Sequence, residues 1–182
     1  MNNQNSSMRE IYLGGGCFWC MEAVFQNMKG VLAVESAYCN GYSKNPTYKE
    51  VCNGDSGHVE VVKVTFDDAV ISLQQLLEVF LKVHDPTSLN AQGADKGPQY
   101  RSGIYSENIQ DLEWVKSFLQ QQQSHYDKTI VTEVELLSSY YKAEEYHQNY
   151  YLNNPNSGYC AFVVAPKVDS FKSKFPSLVV DD

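Results

Sequence analysis

The sequence lacks a long apolar run, since none approaches the roughly 20 residues that cross a bilayer. Its first ten residues, MNNQNSSMRE, are polar and carry neither the apolar core nor the small-residue cleavage site of a signal peptide. We therefore expect a soluble protein that has no membrane partner, and the missing signal predicts the cytoplasm.

Clusters of basic residues are also missing. The chain has 14 Lys and Arg against 22 Asp and Glu, which gives a formal net charge of −8. Because a phosphate backbone is repelled by such a surface, nucleic acid is not expected as a partner.

Cysteine is sparse and odd in number, with five in 182 residues, so a secreted disulfide framework is excluded. In a reducing compartment these thiols favour catalysis, metal binding or burial. The length suits one domain with its own core. We expect a flexible polar tail at residues 1–8, a single catalytic domain at 9–182 and a monomer.

Apolar periodicity predicts alternating strands and helices. Strands are expected at residues 10–13, 31–39, 58–66, 129–137 and 160–164, and helices at 17–28, 72–84, 107–126, 143–151 and 166–175. Long loops are expected at 40–57 and 85–101. This order predicts an α+β fold, a ferredoxin-like α/β plait in which helices pack on one face of a mixed sheet.

A thiol follows a glycine run in GGGCFWC, residues 14–20. At a helix N-terminus, Cys17 feels unpaired amides and the positive end of the helix dipole, which favour the thiolate. The glycines would leave the backbone bare for a substrate, and Phe18 and Trp19 would supply apolar walls. A core role is the alternative for Cys17 and the favoured one for Cys20.

A carboxyl lies on an apolar strand face, because Glu60 shares its side of the 58–66 strand with Val62, Val64 and Phe66. If that face is buried, desolvation raises the pKa of Glu60 and makes it a proton donor near neutral pH. An edge position where Glu60 reaches water is the alternative, and the spacing does not decide between them.

Four segments resemble one known family. GGGCFWCMEAVF, NPTYKEVCNGDSGHVEVV, DPTSLNAQGADKGPQYRSGIY and KAEEYHQNYYL are similar to segments of peptide methionine sulfoxide reductases of the A class, in that family's order. The resemblance extends over nearly all of the chain from the first strand to the last helix.

The resemblance implies a role for each matching residue. Its nucleophile falls on Cys17 and its general acid on Glu60. The other matches are a methyl pocket at Phe18 and Trp19, two hydroxyls that polarise the sulfoxide oxygen at Tyr48 and Tyr100, and a substrate-contacting acid at Asp95.

The implied reaction is attack by the Cys17 thiolate on the sulfur of methionine S-sulfoxide, free or in oxidised proteins. Cys17 becomes a sulfenic acid, a second thiol condenses with it, and thioredoxin reduces the disulfide. No cofactor or metal is implied. Cys160 in GYC matches the family's resolving cysteine. Cys20 is nearer in sequence, and an outside thiol is a third possibility.

Two other functions fit parts of the sequence. Cys17 and Cys20 form a C-x-x-C pair, as in thioredoxin-type oxidoreductases, although that reading leaves Glu60 unexplained. A structural zinc module is the other alternative; it would draw its ligands from Cys17, Cys20, Cys52, Cys160, His58 and His147, but it lacks a second closely spaced pair. His147 is expected to be a packed or hydrogen-bonded helix residue with no catalytic role.

Overall fold

The structure is a computed structural model that describes residues 7–180. Most of the tail expected at residues 1–8 lies outside this range. Met8, which the prediction includes in the tail, opens the first strand, so the folded part begins earlier than expected.

Strands and helices alternate along the chain. The strands are β1 (Met8–Gly14), β2 (Val31–Cys39), β3 (Val59–Asp67), β4 (Ala91–Gln92), β5 (Asp95–Lys96), β6 (Gly103–Ser106), β7 (Glu133–Leu136) and β8 (Tyr140–Lys142). The α-helices are α1 (Phe18–Gln26), α2 (Tyr48–Cys52), α3 (Leu73–Val83), α4 (Ile109–Gln122), α5 (Tyr150–Asn153) and α6 (Ala165–Lys174). Short 3-10 helices lie at Pro98–Tyr100, Gln123–His125, Glu145–His147 and Pro176–Leu178.

Six strands form one sheet in the order β7-β6-β1-β3-β2-β8. The β6 and β7 strands are parallel, and the other neighbouring pairs are antiparallel. Within this sheet, β1-α1-β2-β3-α3-β6 has the spatial order β6-β1-β3-β2, which is the split βαβ arrangement of the ferredoxin-like plait. The predicted fold class is confirmed.

The main core lies between this sheet and the helices. Val62, Val64 and Phe66 of β3 are fully buried in it together with side chains of α1, α3 and α6. Val59 and Val61 of the same strand belong to a smaller cluster on the opposite face. Because β3 is buried on both faces, it holds its neighbours β1 and β2 in a fixed register.

The cap predicted for α3 is present. Ser72 Oγ accepts a hydrogen bond from the Gln75 amide at 3.0 Å, and Gln75 Oε1 accepts one from the Ser72 amide at 3.0 Å. A cap of this kind contributes about 1 kcal/mol to helix stability.

Both long loops contain short regular elements that the prediction missed. Residues 40–57 include α2, which begins with a second capping box between Thr47 and Glu50. Residues 85–101 include the β4-β5 hairpin and a 3-10 turn. Five-residue helices and two-residue strands are too short to show a period, and β6 and β8 were missed for the same reason.

The strand predicted at residues 160–164 is wrong, because Cys160–Val164 forms a π-helical segment that runs into α6. Cys160, Val164 and Val168 are buried at a spacing of four, whereas Phe162 between them is 83% exposed. This burial has a helical period. A short run of β-branched residues does not distinguish a strand from a helix.

Three other predicted elements are shorter than expected. The helix expected at 107–126 ends as α4 at Gln122 with one 3-10 turn after it, and the strand at 129–137 is reduced to β7. The helix expected at 143–151 is a 3-10 turn followed by α5. Asn149, which has a left-handed φ of 58°, separates the two.

Within residues 7–180, no helix combines the length and apolar character needed to span a bilayer.

Candidate active site

Cys17 lies where β1 passes into α1. It is the N-cap residue of α1, with φ −61° and ψ 130°, and 7% of its surface is exposed. The predicted strand, turn and helix around this thiol are confirmed.

The glycine run packs against protein rather than leaving room for substrate. All three glycines are buried, and a Cβ on Gly15 would approach the His84 ring to 3.0 Å. Gly16 has a left-handed φ of 93°, and a Cβ there would lie 2.9 Å from Gln92. The expectation that the glycines bare the backbone for substrate is therefore wrong, because they allow β1 and its turn to pack tightly under the site.

The resting Cys17 thiol is not activated in the way the sequence predicts. Burial raises its pKa well above the ordinary value, and the Glu60 carboxyl and the Cys20 thiol raise it further. A hydrogen bond from the Trp19 amide and the nearby Tyr159 hydroxyl lower it by less. Desolvation of the sulfur outweighs the helix terminus, so Cys17 rests as a thiol.

Glu60 lies beside this thiol on the central strand β3. It is 1% exposed, and its Oε1 accepts a hydrogen bond from the Phe18 amide at 3.1 Å. Its Oε2 has no hydrogen-bond partner. Burial raises the pKa of Glu60 to about 8, which makes the carboxyl a proton donor at neutral pH. The alternative of an edge position in water is wrong.

The unusual pKa of Glu60 predicts a pH-dependent gain in stability for Glu60→Gln. Between the ordinary value of 4.5 and about 8, the folded chain keeps a proton that the unfolded chain has lost, so wild-type stability falls as pH rises. The glutamine does not titrate. We expect the variant to melt higher by a margin that is small near pH 4.5 and levels off above about pH 8, at about 5 °C or more.

Thermal unfolding of the two proteins across this range checks the prediction, since other titrating groups cancel in the difference. A margin that stays constant from acid to alkaline pH would mean that Glu60 titrates normally.

The predicted aromatic residues gather around Cys17 and Glu60. Phe18 is fully buried, and its ring centroid lies 6.4 Å from that of Tyr48. Trp19 is half-buried, and its centroid also lies 6.4 Å from that of Tyr48. Tyr100 is close enough to Glu60 and Cys17 for their charges to raise the pKa of its hydroxyl, after burial as the main cause.

Asp95 reaches the same place from β5, but its carboxylate already has a partner. Tyr159 donates its hydroxyl proton to Asp95 Oδ2 at 2.6 Å, and the same hydroxyl lies 3.8 Å from Cys20 Sγ. The sequence motifs did not indicate Tyr159 as a site residue. Its one signal was its position directly before Cys160 in GYC.

The five cysteines are all free. Cys20 is buried below Cys17 in the first turn of α1, as expected, and Cys160 is fully buried at the start of the π-helical segment. Among residues 7–180 no group of three or more His, Cys, Asp or Glu side chains is arranged to hold a metal ion.

Comparisons with known proteins relate the chain to one family. A family model described as "Peptide methionine sulfoxide reductase" matches residues 9–178. The chain is 52% identical over 166 residues to peptide methionine sulfoxide reductase MsrA of Campylobacter jejuni, covering 91% of this chain and 99% of that protein. It is 48% identical over 170 residues to the MsrA of Pasteurella multocida, covering 93% and 98%.

Solved structures show the same fold. Mxr1 of Saccharomyces cerevisiae in reduced form has a TM-score of 0.81 and 34% identity, covering 87% of this chain and 92% of that one. Methionine sulfoxide reductase A of Corynebacterium diphtheriae has a TM-score of 0.80 and 31% identity, covering 86% and 80%. Mxr1 in complex with Trx2 matches at 0.59 with 23% identity, over 81% and 89%.

Proposed function

This chain belongs to the peptide methionine sulfoxide reductase family, and from that premise we propose that Cys17 and Glu60 carry out the reduction of methionine S-sulfoxide. The observation that carries the assignment is the pairing of a thiol at the start of α1 with a buried, protonated carboxyl whose Oε2 is unpartnered. The thiol supplies a soft nucleophile for sulfur, and the carboxyl supplies a proton for oxygen.

Protons and electrons balance within this pair. The Cys17 sulfur attacks the sulfoxide sulfur as a thiolate, giving up its proton, while Glu60 protonates the sulfoxide oxygen. The attack joins the two sulfurs. The sulfur–oxygen bond of the substrate and the new sulfur–sulfur bond then break as the OH group moves to the Cys17 sulfur, so methionine leaves with two more electrons and Cys17 becomes a sulfenic acid. The proton lost by the thiol restores Glu60, so the carboxyl ends as it began.

The aromatic residues explain why only one sulfoxide geometry would react. We assign the substrate methyl group to the apolar side formed by Phe18 and Trp19, and the oxygen to the side where Glu60 and the hydroxyls of Tyr48 and Tyr100 lie. Burial raises the pKa of both tyrosine hydroxyls, which keeps them protonated as hydrogen-bond donors.

Separated sulfoxide epimers test this assignment. With dithiothreitol as reductant, the S epimer should be reduced, and the rate for the other epimer should be lower by roughly 100-fold or more. In that epimer the methyl group would face the polar side of the pocket and the oxygen the apolar side. Chromatography of the methionine formed provides the measurement. Equal rates on the two epimers would contradict the pose.

We propose that Cys160 resolves the sulfenic acid, with release of water and formation of a Cys17–Cys160 disulfide. The neighbouring Tyr159 already reaches the active site and hydrogen-bonds Asp95. Cys160 itself is fully buried, so the start of its helix must unwind before the sulfurs meet. A thioredoxin then reduces the disulfide with its own dithiol, a role suggested by yeast Mxr1, whose complex with Trx2 is known.

Cysteine variants separate the possible resolving thiols. Cys160→Ser should keep one stoichiometric turnover and lose more than about 90% of thioredoxin-supported cycling, because the sulfenic acid has no internal thiol to meet. Cys20→Ser is the matched control and should cycle almost normally. Peptide mass spectrometry after one turnover reads the bond directly. A Cys17–Cys20 disulfide would move the role to Cys20, and a lasting sulfenic acid would assign it to an outside thiol.

The remaining parts of the proposal concern the substrates, the oligomeric state and the cellular compartment. We propose oxidised proteins and free methionine sulfoxide as substrates, a monomeric enzyme with a single catalytic domain, and a cytoplasmic role in protein repair. Five free cysteines fit a reducing compartment.

A further inference from the structure

Trp19 is held in place from the segment that precedes α5. Its indole Nε1 donates a hydrogen bond to His147 Nδ1 at 3.0 Å. Its ring stacks on Tyr150, with centroids 3.7 Å apart and planes 5° apart. The stacking on Tyr150 fixes the plane of the indole, and the hydrogen bond to His147 fixes its rotation within that plane.

His147 is suited to act as the fixed partner in this pair. It is fully buried, and burial lowers its pKa, so it is neutral near pH 7. Because Nδ1 accepts the indole proton, the imidazole proton must be on Nε2. That nitrogen lies 4.0 Å from Glu144 Oε1 and makes no hydrogen bond. The bond to Trp19 is therefore the hydrogen bond that orients the ring.

Side chains on either side of His147 in the sequence are hydrogen-bonded to other elements of the fold. Glu144 accepts hydrogen bonds from the Tyr38 hydroxyl at 2.7 Å and from the Tyr48 amide at 2.8 Å. Gln148 donates to the carbonyl of Ser36 at 2.9 Å. Because Glu144 and Gln148 tie the segment around His147 to other elements, His147 stays in place and Trp19 is the residue that would move.

The imidazole also touches the other side chains of the proposed substrate pocket. Its centroid lies 5.1 Å from the ring of Phe18 and 4.4 Å from that of Tyr48. His147 thus lies behind the pocket in contact with three of its side chains, and Trp19 is the one to which it is hydrogen-bonded.

We propose that His147 is a positioning residue that fixes Trp19 through the Nδ1 hydrogen bond and thereby sets the size of the pocket for the S-alkyl group. The proposal rests on the proposed function. Without the acceptor, the indole N–H loses its partner, and a half-buried ring can turn toward water to find one. The Trp19 ring then moves away from the pocket, so the substrate methyl group binds more weakly and a larger alkyl group can fit.

Two nearly isosteric variants isolate the acceptor. The oxygen of His147→Asn can take the place of Nδ1, whereas His147→Leu has a similar shape and no acceptor. The probes are the S epimers of methionine sulfoxide and of its S-ethyl analogue, ethionine sulfoxide, with dithiothreitol as reductant. Wild type should prefer methyl by about 10-fold or more in kcat/KM, the usual value of one methylene in a fitted pocket.

The leucine variant should raise KM for methionine sulfoxide about 10-fold with kcat within about threefold, and its methyl-to-ethyl preference should approach one. The asparagine variant should restore the preference. A leucine variant with wild-type KM and preference, or an asparagine variant no better than leucine, would overturn the proposal. In a Trp19→Phe background, replacing His147 should have no further effect on the preference, and a persistent effect would also overturn it.

A measurement on the wild-type protein decides the matter if the leucine variant does not fold. Nitrogen-15 NMR of the His147 ring should show the proton on Nε2, and a proton on Nδ1 would overturn the proposal. The two levels of failure are distinguishable. If wild type reduced neither sulfoxide, the proposed function would fail, whereas an unchanged methyl-to-ethyl preference beside normal reduction would defeat only the role of His147.

Discussion

Cys17→Ser is expected to abolish even a single turnover of methionine sulfoxide reduction. A serine hydroxyl is neither ionised near neutral pH nor soft enough to attack sulfur, and burial at this site makes ionisation harder still. The loss should exceed about 1,000-fold, close to the detection limit. The measurement is methionine formed per enzyme chain with dithiothreitol present, which removes any dependence on the recycling thiols.

Cys39→Ser provides the matched control. Cys39 is also fully buried, but it lies in the small cluster on the other face of the sheet, away from the active site. A loss of activity in both variants would indicate damage to folding rather than loss of a nucleophile. Activity near wild type in Cys17→Ser would end the assignment of Cys17.

Glu60→Gln is expected to slow the reductive step by about 100-fold, the usual cost of a lost general acid. The amide keeps the shape and a hydrogen-bond donor but has no proton to transfer to the sulfoxide oxygen. Substrate binding should change less, so the loss should appear in kcat rather than KM. Rapid-quench measurement of the first turnover separates this step from recycling.

Glu22→Gln controls for the loss of a buried carboxylate. Glu22 is 1% exposed in α1 and accepts hydrogen bonds from the amides of Asn149 and Tyr150 at 2.8 and 3.1 Å. Its variant should keep kcat within about threefold, since no proton transfer is assigned to it. If Glu60→Gln kept wild-type kcat, the carboxyl would be structural, and the proton would have to come from Tyr48 or Tyr100.

Glu60→Gln should therefore be less active than wild type and, by the stability prediction above, more stable to heat. The unpartnered Oε2 of Glu60 is costly to bury and is the atom from which the proton leaves. A residue that destabilises the fold while serving the reaction is common at active sites.

The elements predicted correctly from the sequence are those in which a regular apolar pattern extends over many residues. The β2 strand was predicted with its observed bounds, and α3 was predicted from its apolar spacing and its Ser72 cap. What could not be predicted depended on partners far away in sequence. The short β6 pairs with β1 and β7, and β8 pairs with β2, so neither is defined by its own residues alone.

The features of the candidate site also divide into those that local sequence predicted and those that depend on distant residues. The placement of Cys17 at a helix start and of Glu60 on an apolar face followed from local spacing. The state of the thiol did not, because its pKa depends on burial and on Glu60, 43 positions away in the printed sequence. Tyr159 and His147 reach the site from the C-terminal part of the chain, and no local pattern marks a residue for a contact of that range.

The most direct test of the account is to follow the oxygen in one turnover of the wild-type enzyme. Without reductant, each chain should convert one methionine S-sulfoxide to methionine, and mass spectrometry of the quenched protein should find Cys17 oxidised to a sulfenic acid or held in a disulfide. Methionine produced in that amount while Cys17 remains a free thiol would contradict the account.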